Sequence, residues 1–181
     1  MKRILTLALI LSPSVALAHP GHGTGFLAGL DHPYSGMDHM LAMVAVGLWA
    51  AVIGGRAIWA LPLAFVSAML AGGALGMAGV ALPGGEPAIL ASVIVLGVAA
   101  GMLAHPPLMV ALAAVALFGL AHGNAHGLEA PATGFASFAA GFVIATASLH
   151  GIGLLAGRAM GSVPRLIGFG IAGAGVLLAL A

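Results

Sequence analysis

The chain is a succession of apolar stretches separated by short breaks. Six of them, roughly 37–54, 57–79, 87–104, 107–124, 134–157 and 164–181, approach the ~20 mostly apolar residues that a helix needs to cross a bilayer. Between them stand Gly54-Gly55-Arg56, Pro83-Gly84-Gly85-Glu86-Pro87, His105-Pro106-Pro107, Glu129-Ala130-Pro131 and the stretch from Arg158 to Pro164, helix breakers and charges that stop each run. The pattern predicts an all-α membrane protein built as a six-transmembrane-helix bundle, one domain over residues 19–181. A shorter apolar piece, residues 25–30, precedes the first span and is cut off from it by Asp31-His32-Pro33-Tyr34-Ser35-Gly36. Proline and glycine there predict a broken or re-entrant segment, the kind of backbone irregularity that a bilayer tolerates only where it lines a polar cavity.

Composition sharpens this reading. Hydrophobic residues make up 62% of the chain and charged residues 5%, against roughly 25% charged in a soluble domain. The 29 glycines suit helices that must approach closely where no hydrophobic force draws them together. With no cysteine, disulfides, thiolate metal sites and cysteine nucleophiles are excluded. Met1-Lys2-Arg3, the apolar run Ile4 to Leu11 and then Ala16-Leu17-Ala18 have the three regions of a secretory signal peptide, residues 1–18. The mature chain would start at His19 with a short periplasmic tail, 19–24, and carry three arginines against four acidic residues, which offers no basic surface for nucleic acid. From an outside N-terminus, Arg56, Arg158 and Arg165 all fall on the cytoplasmic side and Glu86 and Glu129 outside, as the positive-inside rule requires. Both termini are then expected in the periplasm and the protein in the bacterial inner membrane.

Ionisable residues inside such segments carry the chemistry, because each costs about 2.5–3.5 kcal/mol at mid-helix unless it pairs or binds something. His122, His126 and Glu129 are spaced i, i+4, i+7, within about 40° of arc on a helix. One residue out of phase run Gly119, Gly123 and Gly127, a track for a neighbouring helix that would turn the histidine stripe into the bundle. Near the first span the set is His32, Asp38 and His39, with Asp31 close by. Adjacent helical residues point about 100° apart, so Asp38 and His39 do not both face one ion, and one of them orients a ligand, packs on the next helix, or serves the helix start. Both polar clusters fall at the outer ends of their spans and would converge near the periplasmic face, as in an inverted repeat of three helices plus three. Imidazole with carboxylate suits nickel, cobalt or zinc. His19 with the mature amine, and His22, would form a loose outer capture site. His150, deep in the fifth span with Thr146 one turn earlier, is either a relay in the pathway or a helix-packing hydrogen bond. His105 reads as a loop residue, and Met37, Met40 and Met43 as packing.

These residues also resemble a family. His32-Pro33-Tyr34-Ser35-Gly36-Met37-Asp38-His39 is similar to the His-Pro-x-x-Gly-x-Asp-His signature of the HupE/UreJ nickel and cobalt permeases. His122-Gly123-Asn124-Ala125-His126-Gly127-Leu128-Glu129 resembles that family's second motif, and Ala145-Thr146-x-x-Leu149-His150 a further stretch. Ala121 stands where the family often has Phe. The similarity runs over essentially the whole mature chain and implies a secondary permease for Ni²⁺ or Co²⁺ that supplies hydrogenase or urease maturation.

No phosphate-binding Gly-x-x-x-x-Gly-Lys-Ser/Thr loop is present, so transport would run on an ion gradient or the membrane potential rather than on ATP. The expected partners are a divalent metal ion as substrate and the lipid bilayer, with no resident cofactor; a homo-oligomer is compatible with the sequence. Two rivals are an intramembrane zinc hydrolase with Asp38 or Glu129 as base and a haem protein with axial histidines. A retinal Schiff base is excluded, since the single lysine is Lys2.

Overall fold

A computed structural model describes residues 25–129, 133–159 and 161–181; the expected signal peptide, His19 and His22 lie outside them. Seven α-helices and no strand occur among the described residues: α1 (Phe26–Ser35), α2 (Met37–Ile53), α3 (Ala57–Met77), α4 (Gly85–Gly101), α5 (Leu108–Glu129), α6 (Phe135–Gly157) and α7 (Val163–Leu180). Each of the six apolar stretches became one helix. Four of them, α3, α5, α6 and α7, are long and apolar enough to cross a membrane, and α1 with α2 makes a fifth candidate bent by 87°. Helix α4 has 17 residues, about 26 Å at 1.5 Å per residue, a little short of the roughly 30 Å hydrocarbon layer.

The broken segment expected before the first span is present as α1, bent by 87° from α2, but the break is narrower than the stretch 31–36. The helix runs on through Pro33 to Ser35, and the chain turns only at Gly36. Three local facts explain it. Pro33 removes a single amide donor, the Ser35 hydroxyl donates to the His32 carbonyl at 2.7 Å, and Tyr34 hydrogen-bonds Ser148 on α6. At the other end of α2, Gly54 with φ +74° stops the helix while its amide still donates to the Ala50 carbonyl, a left-handed turn natural to glycine. After α4, Leu103 takes φ +53°, and the Trp49 indole donating to the Ala104 carbonyl at 3.0 Å holds the turn in place.

Close backbone packing organises the bundle. Along α3·α5, a Cβ on Gly119, Gly123 or Gly127 would strike the backbone of Phe65, Met69 or Gly73, and one on Gly72 or Gly76 would strike α5 in return. The glycine track expected from the sequence is thus the seam between these two helices. Gly47 and Gly153 perform the same function for α2·α6, Gly97 and Gly168 for α4·α7, and Gly29 and Gly141 for α1·α6. Between the seams sits one core of large side chains, among them Met43, Leu48, Leu61, Phe65, Leu96 and Val115. Met43 is in this core while Met37 is exposed, so the methionines of α2 share no ligating face.

Candidate metal site

Four histidines from three helices meet where side chains from the start of α2 and the end of α5 reach each other. Helix α1 supplies His32, α2 supplies His39, and α5 supplies His122 and His126. His32 Nε2 and His126 Nδ1 share a hydrogen bond of 3.0 Å; the rings of His39 and His126 are 4.5 Å apart, and those of His39 and His122 5.3 Å apart, between centroids. The bend at Gly36 is what allows this: a continuous first span would carry His32 about 10 Å along the helix axis from His39. Phe138 and Phe142 of α6 close the side of His32 and His126, and a cavity of about 30 Å³ remains against His126, Gly123 and Phe142, room for about one water.

The hydrogen bonds fix which nitrogen each inner histidine presents. An Asp38 carboxylate oxygen accepts from His39 Nδ1 at 2.7 Å and from the His39 amide at 2.8 Å. Because an ionised carboxylate only accepts, Nδ1 carries a proton, and in the neutral imidazole the lone pair is at Nε2. His122 Nδ1 likewise donates to the Phe118 carbonyl at 2.8 Å, one turn back in its own helix. His39 Nε2 and His122 Nε2 are both buried and have no hydrogen-bond partner among the described residues. A metal-ligating histidine has this arrangement: its other nitrogen donates to a carboxylate or backbone carbonyl, which sets tautomer and orientation. Of the two roles open to Asp38 and His39, Asp38 therefore orients and His39 points inward.

The remaining candidate residues lie outside this row. Glu129 is the last residue of α5, exposed, beyond the histidine row rather than in it. Asp31 is exposed as well. His105 lies in the loop after α4, its Nδ1 on the Leu103 carbonyl. His150 is 2% exposed, and neither ring nitrogen has a hydrogen-bond partner among the described residues; the packing hydrogen bond open to it in the sequence is not formed. The Thr146 hydroxyl faces the Met69 sulfur instead. Among the described residues, no three His, Asp or Glu side chains close around a single point. The histidines form a row, not a cage.

Two residues of the site carry little or no signal in the sequence. Phe65 of α3 touches the rings of His122 and His150, and nothing distinguishes it from other apolar residues of its helix. Asn124 accepts from the Leu82 amide and donates to the Val80 and Gly72 carbonyls, tying the α3–α4 connection to α5 beside the histidines; a lone amide in an apolar helix was the available signal.

Comparison with known proteins finds relatives of the whole chain. The family model described as HupE / UreJ protein matches residues 7–178. A curated relative, Protein HupE of Rhizobium leguminosarum bv. viciae, is 47% identical over 180 residues, covering 96% of this chain and 94% of that protein. No solved structure matches.

Proposed function

The chain belongs to the HupE/UreJ family, and we propose that it is a secondary, non-ATP transporter of Ni²⁺, with Co²⁺ as a second substrate, in the bacterial inner membrane. One observation carries the reading. His39 and His122 are each held by a hydrogen bond at Nδ1 so that a lone pair at Nε2 is presented inside the protein, beside a third histidine, His126. Buried polar atoms without partners are rare in native proteins and mark function.

In this reading the protein spans the membrane six times, with α1–α2 as one bent span and α4 as a short one. The signal peptide 1–18 is removed, and both mature termini are periplasmic. Glu129, with His19 and His22 of the tail, collects the ion from the periplasm. It then exchanges water for imidazole at His32 and His126, whose nitrogens are 3.0 Å apart, about the separation of neighbouring imidazoles on an ion with bonds of about 2.1 Å. His39 and His122 take it next. A row of partial sites binds well enough to strip water and weakly enough to release, which is what conduction needs. An inside-negative potential favours entry of a divalent cation by roughly 4.6 kcal/mol per 100 mV. The cytoplasmic ion would serve hydrogenase or urease maturation.

The test is radiolabelled Ni²⁺ accumulation in cells expressing the chain, against His39→Ala and His126→Ala at matched membrane abundance, with Mg²⁺, Co²⁺ and Zn²⁺ as competitors. Uptake should fall at least tenfold in both variants and be blocked by Co²⁺ but not by Mg²⁺. Asp38→Asn should lower apparent affinity about 10–100-fold, as loss of a carboxylate that orients a histidine ligand does. Protein present in the membrane with no uptake above vector would overturn the reading.

A further inference from the structure

One aromatic ring touches both the histidine row and a further buried imidazole outside it. Phe65 is 0% exposed, and its ring is in edge contact with His122 on one hand, centroids 5.3 Å apart at 61°, and with His150 on the other, 5.4 Å apart at 87°. His150 is on α6, and both its ring nitrogens are buried with no hydrogen-bond partner among the described residues. Leaving such a group unsatisfied costs free energy, so packing alone gives no reason for a histidine there. His150 also lines a recess of about 460 Å³ between α3 and α6, together with Ile58, Trp59, Pro62, Val66 and Leu154. The α3 part of that lining begins at Val66, next to Phe65, and extends to Ile58, two residues from Arg56 at the start of the helix. The recess is lined almost entirely by apolar side chains and opens on the outside of the helix pair, where Trp59 and Leu63 are exposed.

We infer that Phe65 is the gate between two metal stations, the outer one at His39 and His122 and an inner one at His150, and that a divalent cation passes when the Phe65 ring turns aside. This rests on the transporter reading and adds to it a second binding station and a barrier. The mobile part is the ring and not the helices. The Phe65 backbone lies against Gly119 and the His150 backbone against Gly47, so closely that neither glycine has room for a Cβ. A packed apolar ring excludes the hydrated ion while closed, and imidazole at both stations limits the distance that a partly dehydrated cation travels without a ligand. His122 and His150 both touch the ring that forms this barrier.

Purified protein tests this by two readouts: equilibrium binding of Ni²⁺ in detergent, and Ni²⁺ influx into proteoliposomes holding a metal-sensitive dye under an inside-negative potential. His150→Gln should bind one Ni²⁺ per chain fewer than the parent, keep the affinity of the outer station within about twofold, and carry the ion at least tenfold more slowly. His39→Ala should lose both the outer station and influx. Phe65→Ala should admit Mg²⁺, which the parent excludes, at least tenfold faster than the parent does; should that variant fail to assemble, Phe65→Leu, which keeps most of the volume, carries the same expectation at smaller size. Parental influx in His150→Gln, or parental Mg²⁺ exclusion in an assembled Phe65 variant, overturns the gate and inner station while leaving the transporter standing. A parent chain that neither binds nor carries Ni²⁺ overturns the transporter reading, and the gate falls with it.

Discussion

Helices α3 and α5 are joined in the same way as α4 and α7, yet the two seams differ in what they enclose. In both, glycines let backbones touch: Gly123 against Met69 in the first, Gly168 against Gly101 in the second. On α4 the buried polar side chain is Ser92, which donates to the Ile89 carbonyl of its own helix at 2.6 Å. The α3·α5 seam buries Asn124, fully engaged by three groups, and His122, whose Nε2 is not engaged. Small-residue packing is therefore the general adhesive of this bundle, and it confers no chemistry. Chemistry is found where the same adhesive holds imidazole against neighbours that cannot satisfy it.

The strongest way to break the comparison is to damage both seams equally. Gly123→Val and Gly168→Val each force a branched side chain into backbone, and neither carbonyl nor amide can withdraw. Overpacking of this sort costs about 1–3 kcal/mol and more where nothing yields, so both variants should lose most of the monodisperse protein in size-exclusion chromatography. If the adhesive is generic, the losses match. A Gly123 variant that behaves normally would mean that α3 and α5 are not in contact as described.

Next in size is an effect confined to one seam. A metal binds the neutral imidazole, so protons compete for the same nitrogen and binding weakens in acid. The sign follows: Ni²⁺ uptake at subsaturating metal should fall as the outside is acidified, by roughly tenfold between about pH 7.5 and 5.5, across the range in which histidine changes charge. Flat uptake over that range argues against histidine ligation.

Much of this was written in the sequence, and what was not has identifiable causes. The six helices were legible because Gly, Pro and charge punctuate runs that are otherwise apolar. Gly119, Gly123 and Gly127 announced the α3·α5 seam, because a small residue every fourth position has one use in a bilayer. The expected break over 31–36 was too wide, since a proline signals loss of one donor and says nothing of the Ser35 and Tyr34 hydrogen bonds that carry the helix past it. The stripe of His122, His126 and Glu129 shared one helix face as expected, but a face does not say where the bundle stops, and Glu129 is beyond it. Phe65 was invisible for a deeper reason. A helix apolar on all sides has no polar face to reveal which residues turn inward, so an aromatic gate in such a helix is known only once its neighbours are.

The finest discrimination between the seams is the pair Asn124→Ala and Ser92→Ala. Each removes a buried polar side chain from a helix of one seam, and counting hydrogen bonds alone would rank them by number. What matters is what each removal leaves behind. Without Asn124, the Leu82 amide and the Val80 carbonyl lose partners 2.8 Å away in a connection with no helical ladder to replace them, a cost of about 1–3 kcal/mol. Without Ser92, the Ile89 carbonyl keeps its place in the α4 backbone ladder, and alanine is the better helix former, so the change should be near zero. At about 2–4 °C per kcal/mol for a chain of this size, thermal melting in detergent separates the two. The Asn124 variant should melt several degrees lower and the Ser92 variant should match the parent; equal shifts would mean that the connection over residues 78–84 is not held by Asn124, and that the histidine-bearing seam has no more need of its polar groups than the dry one.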